Sequence, residues 1–355
     1  MLNRRRIRLA LASLSVLTVA ACAGAGAPAA RPAPAVASPA AGVAESEVRR
    51  LLGTLAHDSM EGRGTATVGS ARAARFIAAE LASYGVQPAG DSGFFQRVPI
   101  AVQIRNGRPG LRLLPSLEAL DTVPPNDRRS AVNVVGIIPG SDPALRDQVV
   151  LIAAHYDHLG IRPESRRDSI FNGADDDASG VVAVLEIARA LARGPAPKRT
   201  VVVAATTGEE VGLLGTRWYI EHPVRPLEAM VSNLEIEMIG RPDSLAGGPG
   251  RGWLTGFERS NMGDVFTSAG LPIVADRRLD QQFFMRSDNI AFARRGIVAH
   301  TLSSFNMHVD YHRPTDDVTR VDFAHMTRLV DVAVRAARLL ADTPTKLDWK
   351  PGGKP

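Results

Sequence analysis

Imidazoles and a dense group of carboxylates stand close together between residues 155 and 180 of this 355-residue chain. Residues 155–158 read HYDH and follow an apolar run at 149–154, and residues 173–180 read GADDDASG and precede an amphipathic run at 181–191. Crowded carboxylates repel one another unless a cation lies among them. The pattern therefore predicts a divalent metal site, whose remaining ligands should come from other parts of the chain.

Ligand-type residues also follow the other apolar runs that read as buried strands. They are Glu209 and Glu210 after the run 200–206, Glu235 and Glu237 within or after 231–239, and His308, Asp310 and His312 after 296–302. In an open α/β sheet, ligands collect in the crevice beyond the carboxyl ends of the strands. The set offers imidazoles and carboxylates but no thiolate, which suits zinc, manganese or cobalt, and two imidazoles favour zinc.

Each of these features also has an ordinary structural explanation. Acidic residues are favoured in the first turn of a helix, which would account for Glu209 and Glu210. The aspartates at 175–177 could cap the helix that begins near Ser179, and one of Glu235 and Glu237 could be an exposed edge charge. Because four separate strand ends carry such residues, a metal site is favoured over a set of unrelated structural roles.

Alternating strand and helix patterns predict the scaffold that positions these residues. Strands are predicted at 94–104, 111–114, 132–138, 149–154, 200–206, 231–239, 272–275 and 296–302. Helices are predicted at 47–57, 70–84, 179–193, 211–221, 259–269, 288–295 and 322–340. Strands that are apolar on both faces, such as 201–205, are typical of a sheet covered by helices. The predicted fold is a single α/β domain with a mostly parallel central sheet covered by helices on both faces.

The two ends of the chain differ from this central domain. Residues 1–21 combine a basic segment with the apolar run 9–19, as lipoprotein signal peptides do, and the only cysteine, Cys22, follows in a lipobox-like VAAC. Residues 22–44 are predicted to form an Ala/Pro-rich tether, which buries too little apolar surface to fold and whose prolines favour an extended chain. Residues 45–345 form the folded domain, and residues 346–355 are predicted as a disordered tail.

These features predict an exported protein that is lipid-anchored to the bacterial cell envelope, on its periplasmic face. A plain cleavage site with a chance cysteine is the alternative. Loss of the signal peptide would lower the net charge from +5 to +1, which does not argue for nucleic acid as a partner. No other stretch approaches the roughly 20 apolar residues that a membrane span requires, so membrane contact would be through the N-terminal lipid only.

Taken together, the motifs resemble the co-catalytic two-zinc aminopeptidase family, which also contains glutamate carboxypeptidases, glutaminyl cyclases and the non-catalytic transferrin receptor ectodomain. The resemblance runs in order from about residue 52 to residue 321. The motifs that carry it are HYD at 155–157, GADDDASG at 173–180, GEEVGLLG at 208–215, EMIG at 237–240 and YHRPTDD at 311–317. The segment MEGRG at 60–64 is also similar.

The resemblance implies a set of metal ligands. It assigns His155 and Glu237 to one zinc ion, His312 and Glu210 to the other, and Asp176 to both ions as a bridge. The implied cofactors are two Zn²⁺ ions, with Mn²⁺ or Co²⁺ as alternatives. The family more often has aspartate at the position of Glu237, and the extra methylene could shift or loosen that metal.

The resemblance also implies a reaction. A metal-bridged water would attack the scissile carbonyl, with Glu209 as general base and Asp157 orienting His155. The implied function is that of a zinc-dependent aminopeptidase acting on peptides with a free N-terminus. A glutaminyl cyclase or a carboxypeptidase on the same fold is the alternative among enzymes. A non-catalytic binding domain is disfavoured because every ligand position and the base are filled.

Several neighbours of these motifs have open roles. His158 and His308 are not expected to bind metal. Tyr311 either donates to the oxyanion or packs beside the metal. Residues 286–289 could line the substrate pocket, although capping of the next helix is the favoured role for Ser287.

Overall fold

The computed structural model describes residues 42–163, 165 and 168–355. The predicted signal peptide, Cys22 and nearly all of the tether lie outside these described residues. Within them, no helix is both long enough and apolar enough to cross a membrane.

Every helix and strand that the sequence predicts is present, with ends displaced by at most four residues. The helices are α1 Glu45–Leu55, α2 Val68–Tyr84, α3 Gly180–Arg193, α4 Leu214–Glu221, α5 Met262–Ser268, α6 Asn289–Arg294 and α7 Phe323–Asp342. The strands are β1 Gln87–Pro88, β2 Phe95–Arg105, β3 Arg108–Leu113, β4 Arg128–Ile138, β5 Val149–His155, β6 Gly160–Ile161, β7 Ile170–Phe171, β8 Thr200–Thr206, β9 Met230–Ile236, β10 Gly252–Leu254, β11 Ile273–Ala275 and β12 Val298–Ser303.

One large sheet forms the centre of the domain. Its strand order is β11-β10-β12-β9-β5-β8-β4-β2-β3, and β1 pairs with β4. The central strands β12, β9, β5 and β8 are parallel, whereas β4, β2 and β3 continue the sheet in antiparallel pairs. The predicted fold class is therefore confirmed, with antiparallel additions outside the parallel centre.

Helices cover both faces of this sheet, and β5 shows how its sequence allows this. Val150 and Ile152 pack with the residues of α1, α2, α3 and α7. Val149 and Leu151 pack with the residues of α4 and α6 on the opposite face. Because both faces of β5 are buried, its sequence is a continuous apolar run rather than an alternating pattern.

Residues 346–355 differ from the predicted disordered tail, because they pack against the domain. Leu347 is buried, and the indole of Trp349 donates to the main-chain oxygen of Gly296 at 2.9 Å. The main-chain N–H of Asp348 donates to the Asn261 side chain at 2.9 Å. The Lys, Pro and Gly content suggested fraying, but one aliphatic and one aromatic side chain anchor the segment.

Candidate metal centre

The predicted ligands come together at the carboxyl edge of the parallel strands. Since β12, β9, β5 and β8 are neighbours in the sheet, the segments that follow them lie side by side. The segment between β7 and α3 adds the turn Ala174–Ser179 to this edge. The predicted ligands are His155 at the end of β5, Asp176 in that turn, Glu210 after β8, Glu237 after β9 and His312 after β12.

Asp176 lies at the centre of the cluster. Its Oδ1 is 3.4 Å from Nε2 of His155, and its Oδ2 is 3.1 Å from Nε2 of His312. The two oxygens of one carboxylate therefore face two different imidazoles. This is the arrangement that a carboxylate shared between two metal sites requires.

The surrounding side chains fall into two groups that both include Asp176. In the first group, ligand atoms of His155, Asp176 and Glu237 lie within 4.8 Å of one another. In the second group, the same limit holds for His158, Asp176 and Glu210. Nε2 of His312 lies 3.3 Å from Oε2 of Glu210 and so borders the second group.

Several buried atoms of this cluster lack a hydrogen-bond partner within the described residues. They are Nε2 of His155, both ring nitrogens of His158 and Oε1 of Glu210. An unsatisfied buried polar group costs about 1–3 kcal/mol, so a cluster of them is unfavourable unless a ligand satisfies it. All the donors are imidazole nitrogens and carboxylate oxygens. The residues therefore fit a divalent ion of the zinc type.

The imidazoles and carboxylates shift one another's pKa values. Burial acts to raise the pKa of Asp176, but His158, His155 and His312 outweigh it and hold this pKa well below its usual range. Burial acts to lower the pKa of His312, but hydrogen bonding to Asp176 and Glu210 raises it to about 9. Since a metal binds the neutral imidazole, protons compete with metal at this site.

Glu237 rather than Glu235 belongs to the ligand cluster. Glu237 follows the last residue of β9, groups with His155 and Asp176, and lines the cavity beside them. Glu235 is wholly buried within β9, and both of its carboxylate oxygens lack a hydrogen-bond partner in the described chain. Burial raises the pKa of Glu235 well above its ordinary value, which favours the neutral acid at this position.

Asp157 contacts His155 through its main-chain oxygen and the Glu209 loop through its carboxylate. Nδ1 of His155 lies 3.1 Å from the main-chain oxygen of Asp157, but 3.9 Å from the carboxylate. The carboxylate accepts from the Thr65 hydroxyl at 2.7 Å and from the main-chain N–H of Glu209 at 3.2 Å. Asp157 therefore holds His155 through its main chain and holds the Glu209 loop through its side chain.

Glu209 lines the cavity beside the cluster, together with Asp176, Glu237 and His312. Burial raises the pKa of its carboxyl well above the ordinary value. A carboxylate with a raised pKa is a stronger base than an ordinary carboxylate. The position and the environment of Glu209 both suit a general base.

The aspartates on either side of Asp176 hold the turn that carries it. Oδ1 of Asp177 accepts from the main-chain N–H groups of Gly180 and Met238, both at 3.0 Å. Oδ1 of Asp175 accepts from the N–H of Gly240 at 2.6 Å. These bonds join the turn to the segment after β9, and so fix Asp176 relative to Glu237.

The two additional histidines have different surroundings. Nε2 of His308 lies 3.0 Å from Oδ2 of Asp175, outside the two ligand groups. Nδ1 of His158 lies 2.8 Å from Oε1 of Glu210, inside the second group. The sequence predicted neither as a ligand, and the structure places only the His158 ring among the atoms of a ligand group. The signal that pointed to it was the second imidazole of the HYDH segment.

A buried arginine that the sequence left without a role joins the loops of the site. The guanidinium of Arg63 donates to the main-chain oxygens of Leu55, Tyr156, Asn172 and Gly173 at 2.6–2.8 Å. Its side chain has no exposure to solvent. Because Tyr156 follows His155 and Gly173 precedes the turn with Asp176, Arg63 fixes the spacing between these two ligands.

The cavity beside the cluster is lined by aromatic and polar side chains. Its lining residues outside the metal cluster include Met238, Trp253, Thr255, Phe283, Arg286, Ser287, Thr301, Ser303, Phe305 and Tyr311. The Tyr311 ring stacks on the His312 ring with 3.9 Å between their centroids. Arg286 and Ser287 thus line the pocket, and Ser287 does not cap α6. Asp288 and Asn289 are buried and bond to Thr206 and Thr301, respectively.

The fold and the cluster define an α/β protein with an imidazole–carboxylate cluster, a candidate metal centre, at the carboxyl ends of its parallel strands. The family model described as Peptidase family M28 matches residues 133–337, which is more than half of the chain. The chain therefore belongs to Peptidase family M28. This finding confirms the resemblance to the co-catalytic zinc peptidases.

Solved structures of this fold and curated relatives agree with that assignment. A zinc aminopeptidase from Bacillus subtilis, BSAP, has a TM-score of 0.60 at 15% identity, covering 88% of this chain and 98% of that one. The LapA aminopeptidase of Legionella pneumophila has a TM-score of 0.58 at 16% identity, covering 85% and 73%. These two likenesses establish the fold.

The curated relatives are longer proteins than this one. A "probable leucine aminopeptidase 2" of Aspergillus oryzae is 31% identical over 183 residues, covering 48% of this chain and 33% of the relative. A vacuolar membrane protease of Tuber melanosporum is 36% identical over 108 residues, covering 29% and 10%. The chain thus matches a third or less of the length of these relatives.

Proposed function

We propose that this protein is a zinc-dependent aminopeptidase that removes residues from the free N-termini of peptides. The observation that carries the proposal is the placement of Asp176, whose two carboxylate oxygens face His155 and His312. Glu209 lines the adjoining cavity. A shared carboxylate beside a potential base is the arrangement that a two-metal hydrolase needs.

The ligands divide between two ions. His155, Glu237 and Asp176 would hold the first ion, and His312, Glu210 and Asp176 would hold the second. When bound, such ions lower the pKa of a water molecule and polarise the scissile carbonyl. The membership of the chain in a peptidase family and its likeness to zinc aminopeptidase structures support this assignment.

Glu209 would carry the proton between the reactants. Its carboxylate takes a proton from the attacking water as the water oxygen adds to the scissile carbonyl carbon. It then gives that proton to the leaving nitrogen as the C–N bond breaks. The bond from the Glu209 main-chain N–H to Asp157 holds the loop in place during both transfers.

The cavity favours a substrate with a free amine. Glu209, which is not assigned to either ion, places a carboxylate in its lining, and a carboxylate attracts an α-ammonium group. An acylated amine lacks that charge and adds bulk. We therefore expect free N-termini to be preferred over blocked ones.

A carboxypeptidase is the second candidate, and Arg286 is the observation that favours it. Arg286 lines the same cavity, with its guanidinium 5.1 Å from the centroid of the Phe283 ring. A guanidinium is well suited to bind a carboxylate, such as the C-terminus of a peptide. The type of substrate that is cleaved separates the two candidates.

Activity on a pair of small substrates tests the proposal. The purified protein should hydrolyse an aminoacyl anilide with a free amine, lose this activity with a chelator, and regain it when Zn²⁺ is added. The N-acetylated form of the same anilide is the control and should not be cleaved. Cleavage of the blocked form but not of the free form would overturn the aminopeptidase assignment.

We propose further that the chain is exported and anchored to the envelope by a lipid on Cys22. The support is the signal-like pattern of residues 1–21 and the absence of any other cysteine in the sequence. A Cys22→Ser variant expressed in a bacterium should move from the membrane fraction to the soluble fraction. Equal membrane association of the variant and the native protein would refute the lipid anchor.

A further inference from the structure

We propose that His158 is an additional protein ligand of the second metal ion, alongside Asp176, Glu210 and His312. The second site would then have four side-chain ligands, whereas the first has three. This inference rests on the proposed metal centre but not on the reaction that the centre catalyses.

The backbone around His158 places its ring at the cluster. The main-chain N–H of His158 donates to the oxygen of Arg63 at 3.2 Å. Its ring packs against Gly173, where an added Cβ would lie 2.6 Å from Cγ and Cδ2 of the imidazole. Gly173 has a φ of +53°, which glycine adopts at little cost. The ring position is thus set by neighbouring main chain.

The ring nitrogen faces the same carboxylates as His312. Nδ1 of His158 is 2.8 Å from Oε1 of Glu210 and 3.8 Å from Oδ2 of Asp176. Nε2 of His312 is 3.3 Å from the other oxygen of Glu210 and 3.1 Å from the same Oδ2 of Asp176. Glu210 therefore lies between two imidazoles, one at each of its oxygens.

The two imidazoles approach the carboxylates from different directions. Their ring centroids are 5.6 Å apart and their planes are inclined by 70°. Two imidazoles and two carboxylates that converge from separate directions can surround one ion. Four protein ligands are a coordination number that zinc readily accepts.

The polar atoms of His158 need a partner that the described residues do not supply. The side chain is 1% exposed, and neither ring nitrogen makes a hydrogen bond of acceptable geometry to another described residue. Leaving such a group unsatisfied costs about 1–3 kcal/mol. A cation between these groups removes that penalty.

Unequal ligand numbers predict unequal affinity. Four side chains would hold the ion of the second site and three would hold the ion of the first, and zinc can still accept water or substrate as a fifth ligand. We therefore expect the second site to retain Zn²⁺ at free concentrations that empty the first site.

The alternative is that His158 only positions Glu210 by donating a hydrogen bond from Nδ1. The variant His158→Asn separates the two roles, because the asparagine side-chain nitrogen takes the place of Nδ1 and can donate to Glu210. An amide nitrogen does not ligate zinc in the manner of an imidazole. His158→Ala removes both capabilities. His222→Asn is the matched control, since His222 stacks on Trp218 instead.

The experiment titrates the full chain with Zn²⁺ by calorimetry and records the visible absorption of the Co²⁺-loaded form. If His158 is a ligand, both His158 variants bind the ion of the second site at least about 100-fold more weakly, and the Co²⁺ spectrum changes. Removing a residue that only hydrogen-bonds to a metal ligand already lowers metal affinity 10- to 100-fold. Removing a ligand itself should therefore lower the affinity by at least about 100-fold. His222→Asn should match the native protein.

Native affinity at both sites in His158→Asn, with an unchanged Co²⁺ spectrum, would overturn the proposal and leave only a hydrogen-bonding role. Native affinity in His158→Ala would overturn it as well. Absence of tight Zn²⁺ binding in the unmutated protein would instead contradict the proposed metal centre. The two failures are therefore distinguishable.

Discussion

The Glu209→Gln variant should bind metal like the native protein and yet lose most of its turnover. The substitution keeps the size of the side chain and the main-chain bond to Asp157, but the amide cannot accept the proton of the attacking water. General base catalysis contributes about 10²- to 10⁴-fold, so kcat should fall by that order. The measurement is kcat on a free-amine anilide together with metal analysis of the same sample.

Glu235→Gln is the matched control for that experiment. Glu235 also lies near the carboxyl ends of the parallel strands, but it is wholly buried within β9, and burial favours its neutral form. An amide resembles a neutral carboxylic acid in size and charge, so turnover should change little. Native turnover in Glu209→Gln would remove Glu209 from the role of base.

The Asp176→Asn variant should lose both metal ions. Among the residues that the structure describes, Asp176 is the only carboxylate that belongs to both ligand groups, and the change removes its charge and replaces one oxygen with an NH₂ group. Removing outer partners of metal ligands costs 10- to 100-fold in affinity, so losing a direct ligand should cost at least about 100-fold at each site. Calorimetric titration with Zn²⁺ and metal analysis measure the effect.

Glu237→Gln provides the comparison for the shared carboxylate. Glu237 groups with His155 and Asp176 only, so this variant should weaken one site and spare the other. If Asp176→Asn also weakened a single site, Asp176 would not be a bridge and the two-metal arrangement would be wrong.

The parts of the fold that depend on periodicity were predictable from the sequence. Buried runs such as 149–154 and 200–206 are apolar on both faces, and amphipathic helices separate them, so the parallel centre of the sheet follows. The ends of those runs also identified the segments that carry His155 and Glu210. The antiparallel strands β2 and β3 are joined by a short turn and pair as a hairpin, whereas the pairing of β2 with β4 depends on contacts between segments that are distant in sequence.

The details of the site depend on contacts that no local pattern encodes. The ring of His158 is directed by Arg63 and Gly173, which are distant from it in sequence. The walls of the cavity come from Trp253, Phe283 and Phe305, on three separate segments. The packing of segment 346–355 likewise depends on the hydrogen bond from the Trp349 indole to the main-chain oxygen of Gly296. The composition of the segment does not predict this contact.

The cleavage pattern of one peptide tests the proposed activity most directly. The zinc-loaded protein is incubated with an unblocked peptide of defined sequence and with its N-acetylated form, and the products are followed by mass spectrometry over time. An aminopeptidase removes residues one by one from the amino end of the free peptide and leaves the acetylated form intact. Shortening from the carboxyl end, or loss of ammonia from an N-terminal glutamine without hydrolysis, would contradict that activity.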